Sequence, residues 1–166
     1  MGIIHQIGGK LRVQIEGFSG EISKSLKKVG KRFTEEMIYG ILSSGSVHLT
    51  EISRSLEEEI TMHKTHDRLC RNLGCDELEE KIGDVILKKG SSYVGKETLI
   101  VIDPTEIIKP YAEKMEYLTK VRDGSTKEIG NGYWIIQAVA TDIEGKEIVP
   151  LVSRLYSTIS PDFESE

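Results

Sequence analysis

The apolar positions of this 166-residue chain fall into two regimes. In roughly the first 90 residues they recur at helical spacing between glycines, and after that they come in consecutive branched runs. The densest run is Leu99-Ile100-Val101-Ile102, closed by Asp103-Pro104. Branched, uncharged and uninterrupted, it predicts a strand buried on both faces, at a central position of a mixed or parallel sheet. Pro104 has no N–H for a ladder, so the strand is expected to stop there. Asp103 would then sit at its carboxyl end, the edge where α/β proteins hold ligands and metals. Asp-Pro also opens ordinary turns, and the run alone leaves both readings open.

Residues 3–18 fit two periods. Leu11, Val13 and Ile15 alternate as in a strand, while Ile3, Ile7, Leu11 and Ile15 keep helical spacing interrupted by Gly8-Gly9. Ser19 can cap a helix with the stripe Ile22, Leu26 and Val29, and Gly30 can end it. A second helix is expected from Thr34, with Phe33 stapled to Ile38, Glu35 and Glu36 in the first turn, and Met37, Ile38, Ile41 and Leu42 buried. After a turn at residues 43–46, Thr50 caps a short helix that turns Leu49, Ile52 and Leu56 inward. Thr61 caps another, ending at Gly74, with Met62, His66, Leu69, Cys70 and Leu73 on its inner face. Lys64, Arg68 and Arg71 form a short basic stripe on a different face, interrupted by Asp67. Two short helices with a basic stripe on the second suggest a helix-turn-helix-like unit, and a small bundle with an ordinary charged surface fits equally well. A fourth clear helix opens with a capping box from Asp76 to Glu79, buries Leu78, Ile82, Val85 and Ile86, and stops at Gly90.

A connector at residues 91–96 marks the boundary between two units, a helical one at 1–92 and a sheet-forming one at 93–166. Pro104–Tyr111 reads as irregular, and Gly124, Gly130 and Gly132 frame a long loop. Tyr133–Ala140 is a strand, Thr141–Gly145 a hairpin connection, and Lys146–Tyr156 a further strand in which Pro150 calls for a bulge or an edge. The class expected is α+β.

Charge sharpens the division. Residues 1–74 carry 11 Lys and Arg against 9 Asp and Glu, and residues 75–166 carry 11 against 18. Only the front is a suitable electrostatic partner for nucleic acid, and Lys24, Lys27 and Lys28 add a second basic patch to the stripe at Lys64, Arg68 and Arg71. Any one of these lysines also reads as part of a solvated face. Cys70 and Cys75 are spaced as reduced thiols rather than as a metal pair, and His63 and His66 lack companions for a metal site. Neither a membrane span nor a secretion signal is expected.

The ordered series Leu99-Ile100-Val101-Ile102-Asp103-Pro104-Thr105, Lys109-Pro110-Tyr111, Lys114-Met115-Glu116-Tyr117, Asp123-Gly124-Ser125 and Gly132-Tyr133 resembles the start of the catalytic domain of bacterial DDE transposases. The group most similar is that of insertion sequence 4. The stretch from Ile41 to Leu56 is similar to the helical DNA-binding front of that group. The resemblance covers most of the chain and rests on the order of its parts. It implies a ribonuclease H-like sheet behind the helical unit, and a metal-dependent transposase with three carboxylates around two divalent ions, magnesium being suited to such oxygen ligands. Asp103 matches the first catalytic, metal-binding aspartate. The second aspartate and the glutamate have no counterpart: Asp123 and Asp142 belong to turns, and Glu106 is too close in sequence. The expectation is therefore a truncated copy that holds Mg²⁺ poorly and does not cut. It would bind double-stranded DNA at transposon ends through Lys24, Lys27, Lys28, Lys64, Arg68 and Arg71. The alternatives are a non-enzymatic inhibitor that occupies transposon ends, or a remnant without function. The location implied is the bacterial cytoplasm, at the nucleoid when DNA-bound. An unfinished sheet would leave an edge open to self-association.

Overall fold

The computed structural model describes residues 3–75 and 77–164, with side chains from Gly9 onward. The chain is α+β: helices α1 (Ile3–Ile22), α2 (Lys28–Ser44), α3 (Leu49–Ser55), α4 (Met62–Leu73) and α5 (Glu77–Ser91) precede strands β1 (Leu99–Ile108), β2 (Thr119–Arg122), β3 (Ile129–Thr141) and β4 (Ile148–Tyr156). It divides into two compact units, Met1–Val85 and Ile86–Glu166, so the division falls inside α5 and earlier than the connector suggests.

The helical unit closes around Leu26, Phe33, Ile52, Leu69 and Leu78, with Met37, Ile41, Leu49, Leu56 and Ile82 packed against them. The open question at residues 3–18 resolves as helix. Each glycine costs about 1 kcal/mol of helix propensity, which a long helix docked along Ile15, Ser19 and Ile22 absorbs. Ser19 is accordingly not a cap. It is buried within α1, and its Oγ donates to the Glu16 carbonyl at 3.2 Å.

The expected boundaries at Gly30 and Thr34 are also displaced. Lys27 takes the extended cap conformation, and α2 runs through both residues. Leu26 reaches the core from the connection between helices, while Val29 is exposed, so the apparent stripe through them is not one helical face. Thr34 satisfies its hydroxyl on the Gly30 carbonyl at 2.9 Å, and Phe33 is a core residue rather than a staple. Leu42 is exposed, unlike Met37, Ile38 and Ile41.

α2 ends at Gly45, whose φ of +64° lets its N–H reach the Ile41 carbonyl at 2.9 Å. His48, not Thr50, precedes α3. α2 and α3 meet at Gly40, where a Cβ would overlap Ile52 Cγ2. α4 starts after Thr61 as expected, although the Thr61 side chain makes no cap bond; its buried positions are Thr65 and Leu69, while Met62, Cys70 and Leu73 are exposed and His66 is half-buried. The inner face is turned because Thr65 has a polar partner waiting for it, described below. The proposed cap at Asp76 lies outside the described residues, whereas the helix after it is present.

The sheet unit is wholly antiparallel, which corrects the expectation of a mixed or parallel sheet. β3 is its centre. β1 lies along one side of β3, and β2 and β4 follow one another along the other side. β1 is thus an edge strand and does not stop at Pro104. The Lys109 amide donates to the Asn131 carbonyl at 2.7 Å, so odd-numbered residues of this strand bond to β3 and even-numbered ones point to the open side. Pro104 falls on the open side, where its missing N–H costs no ladder bond. Leu99, Ile100, Val101 and Ile102 are exposed, Ile102 to 62%.

The expected long loop contains β2 and the start of β3. The hairpin is as predicted: Gly145 has φ +70°, and its N–H donates to the Asp142 carbonyl at 3.1 Å. In β4 the register slips at Ala138/Val139, leaving Leu151 as the extra residue beside Pro150. Gly90 lies inside α5 rather than beyond its end. A Cβ there would stand 2.6 Å from the Pro150 carbonyl, so its bareness lets the last turn of α5 approach β4.

Candidate nucleic-acid interface

The basic residues occupy two patches of the helical unit. Lys24, Lys27 and Lys28 are exposed in the α1–α2 connection and at the start of α2. There Lys81, by hydrogen bond and charge, and to a lesser degree Lys27, hold the Glu77 carboxyl below its ordinary range. Lys64 and Arg71 are exposed on α4, seven residues apart and so on one side of the helix. Arg71 Nε donates to the Asp67 carbonyl at 3.3 Å, which leaves the outer edge of its guanidinium toward solvent. Asp67 shares that side, 3.6 Å from His63 Nε2.

Arg68 is different. Its guanidinium is spread between Glu36 of α2 and Glu58 of the α3–α4 connection: Nη1 donates to Glu36 Oε2, and Nη2 to Glu58 Oε2 at 2.5 Å. Arg32 closes the circuit, donating from Nε to Glu36 Oε1 at 2.6 Å and from Nη2 to Glu58 Oε1 at 2.7 Å. Thr65 Oγ1 donates to Glu58 Oε2 at 2.8 Å, which explains why a threonine is the buried residue of α4. Two guanidinium and two carboxylate groups balance in charge and satisfy each other. Partial burial would raise the Glu58 pKa, but the bonds from Thr65 and Arg68 and the charges of Arg68 and Arg32 outweigh it and hold the carboxyl below the usual range. The same burial would lower the Arg68 pKa, and its bonds to Glu36 and Glu58 raise it instead.

The sequence displayed only one local sign of this circuit, the four-residue spacing of Arg32 and Glu36. The pairings of Arg68 with Glu36 and Glu58 span 32 and 10 residues and are invisible to any local pattern.

In the sheet unit Asp103 is exposed at mid-strand, opposite Gln137 on β3. Glu106 has the opposite strand parity, and its Oε1 accepts the Gly124 amide at 2.5 Å. Asp123 Oδ1 accepts the Ser125 and Thr126 amides at 2.7 and 2.8 Å, bonds that lower its pKa. Asp142 Oδ1 accepts the Lys146 and Glu147 amides at 2.7 and 3.1 Å. The last two are turn-forming carboxylates, as their positions in the sequence suggested. Among the described residues no three His, Cys, Asp or Glu side chains converge to hold a metal ion. Among the described residues no second and third ligand joins Asp103 in a divalent-metal cage. Nor is any described helix long and apolar enough to cross a membrane. No family model, curated protein or solved structure matches this chain.

Proposed function

We propose that the chain binds duplex DNA through α4 of its helical unit and is related to the DDE transposases of insertion sequence 4. In this reading α3 and α4 act as the helix-turn-helix-like pair, and the sheet unit corresponds to the opening strands of a ribonuclease H-like domain. The observation that carries the binding part is the division of labour on α4. Lys64 and Arg71 are exposed on one side, while Leu69 and Thr65 anchor the inner side and Arg68, beside the exposed pair, is tied to Glu36 and Glu58. A helix held from within and basic without is suited to phosphates. The antiparallel succession β1, β3, β4, with Asp103 on its first strand, supports the kinship. Among the described residues Asp103 belongs to no group of three metal-ligating side chains, which favours binding at transposon ends without cutting.

The test is a titration of labelled duplex by the whole chain at several salt concentrations. Affinity is expected to fall with salt by about 0.9 log–log units per phosphate contact. The double substitution Lys64→Ala, Arg71→Ala should weaken binding and leave the helical content unchanged. Unchanged affinity in that variant, or no binding by the parent, defeats the reading. The same mixtures with Mg²⁺ or Mn²⁺ are expected to stay intact, and cleavage that disappears in Asp103→Ala would show that the chain cuts after all.

A further inference from the structure

Of the three basic residues in the α4 stripe, one is already committed. The Arg68 side chain is 21% exposed, and its carboxylate partners Glu36 and Glu58 are 13% and 21% exposed. A phosphate that drew both Nη groups of Arg68 away from Glu36 and Glu58 would break both charge-assisted bonds and leave two half-buried carboxylates short of a cation. Those carboxylates would also repel the phosphate. We infer that Arg68 is a positioning residue: by joining Glu36 of α2 to Glu58 of the α3–α4 connection it sets the direction in which α4 leaves that connection, and hence where Lys64 and Arg71 stand.

The connection needs such a clamp. Glu57 is a non-glycine residue at φ 46°, a conformation held against its own preference. Its neighbour Glu58 is the residue that Arg68, Arg32 and Thr65 grip together. Leu56 before it packs on the core, and Thr61 beyond it opens α4. The turn that aims α4 is therefore fixed at Leu56 by apolar packing and at Glu58 by three polar donors.

The inference rests on the DNA-binding reading for its functional part, and two readouts on the whole chain separate the two. The first is the salt dependence of duplex binding. The second is amide hydrogen exchange of residues 56–61, which needs no DNA. Lys64→Ala and Arg71→Ala should each lower the log–log slope by about one and leave the exchange unchanged. Arg68→Ala should weaken binding severalfold with the slope unchanged, and should speed exchange in the connection. Glu58→Gln gives the opposite sign under the two roles. If Arg68 is a clamp, Glu58→Gln weakens binding although it removes a negative charge. If Arg68 is a phosphate ligand held in reserve, Glu58→Gln tightens binding and steepens the slope. Arg68→Lys keeps the charge but not the two-armed geometry, and should recover only part of the loss. It also keeps the test alive should Arg68→Ala fail to fold. A lowered slope in Arg68→Ala with unchanged exchange, or tighter binding in Glu58→Gln, overturns the inference. If the parent binds no duplex, the DNA reading fails, and exchange alone decides the clamp: faster exchange in Arg68→Lys and Glu58→Gln upholds it, and unchanged exchange refutes it.

Discussion

The helical and sheet units spend their apolar residues in opposite ways. In the helical unit Ile52 and Leu69 are fully buried, and the charged residues nearest the core are paired in a closed circuit. In the sheet unit the most apolar run of the sequence, Leu99–Ile102, lies on an edge strand and is exposed. Apolar density along a chain therefore measures what could be buried, and the partners an element finds decide what is. A seven-residue helix such as α3, crossing α2 at a bare glycine, becomes a core element, while a ten-residue strand with a stronger apolar signal does not.

The sharpest way to break this comparison is to truncate one residue from each side. Ile52→Ala should cost the helical unit about 3 kcal/mol, since it removes a fully buried side chain from the closest helix contact. Val101→Ala should cost below about 1 kcal/mol, because much of that side chain already meets water. Denaturant unfolding followed by helical circular dichroism, and by fluorescence of Trp134 in β3, reads the two units separately. Equal costs would mean that β1 is covered in solution.

A smaller effect is expected from acid. The folded-state pKa of Glu58 lies below its ordinary value near 4.5, so its contribution is present above that value and is lost as pH falls through the lower folded value. The melting temperature of the helical signal should be flat near neutrality and decline below about pH 4.5. The decline should be shallower in Glu58→Gln. Asp123 has a lowered pKa too, but the hydrogen bonds of its carboxylate, to Thr126 and Ser125, stay within its own turn, so its protonation should loosen residues 123–126 and leave the helical signal alone. An acid decline identical in Glu58→Gln would assign it to other carboxylates.

The smallest effect sharpens the description of the α3–α4 connection. Glu57→Gly should relieve the positive φ and stabilise the helical unit by up to about 1 kcal/mol, offset by the freedom glycine adds to the unfolded chain. A loss of more than that would show that the Glu57 side chain contributes something beyond its backbone.

What was legible in the sequence was local. The presence of helices at residues 62–73 and 77–91, the hairpin at 141–145, and the disturbance at Pro150 were legible, although the face that α4 buries was not and the Thr61 side chain makes no cap bond. The division into a helical front and a sheet behind was legible as well. What was not legible depends on distant partners. Thr65 is missing from the inner face that spacing gives α4, because its partner Glu58 lies on the preceding connection. Ser19 and Thr34 read as caps, because serine and threonine hydroxyls bond backbone carbonyls within helices as readily as they bond amides at helix starts. Arg68 reads as part of a basic stripe, because nothing local reveals that two acids wait for it. Pro104 reads as a strand end, because the sequence cannot say which side of the strand its ring will face.

That last residue leaves a mark on the open side of the sheet. A strand laid against β1 would meet outward amides at Ile100 and Ile102, none at Pro104, and amides again at Glu106 and Ile108. To an incoming chain the ten-residue strand is thus two short ledges separated by a gap. The gap falls just where the apolar ledge gives way to Asp103, so a long continuous zipper along this edge is interrupted at its midpoint by one missing proton and one charge.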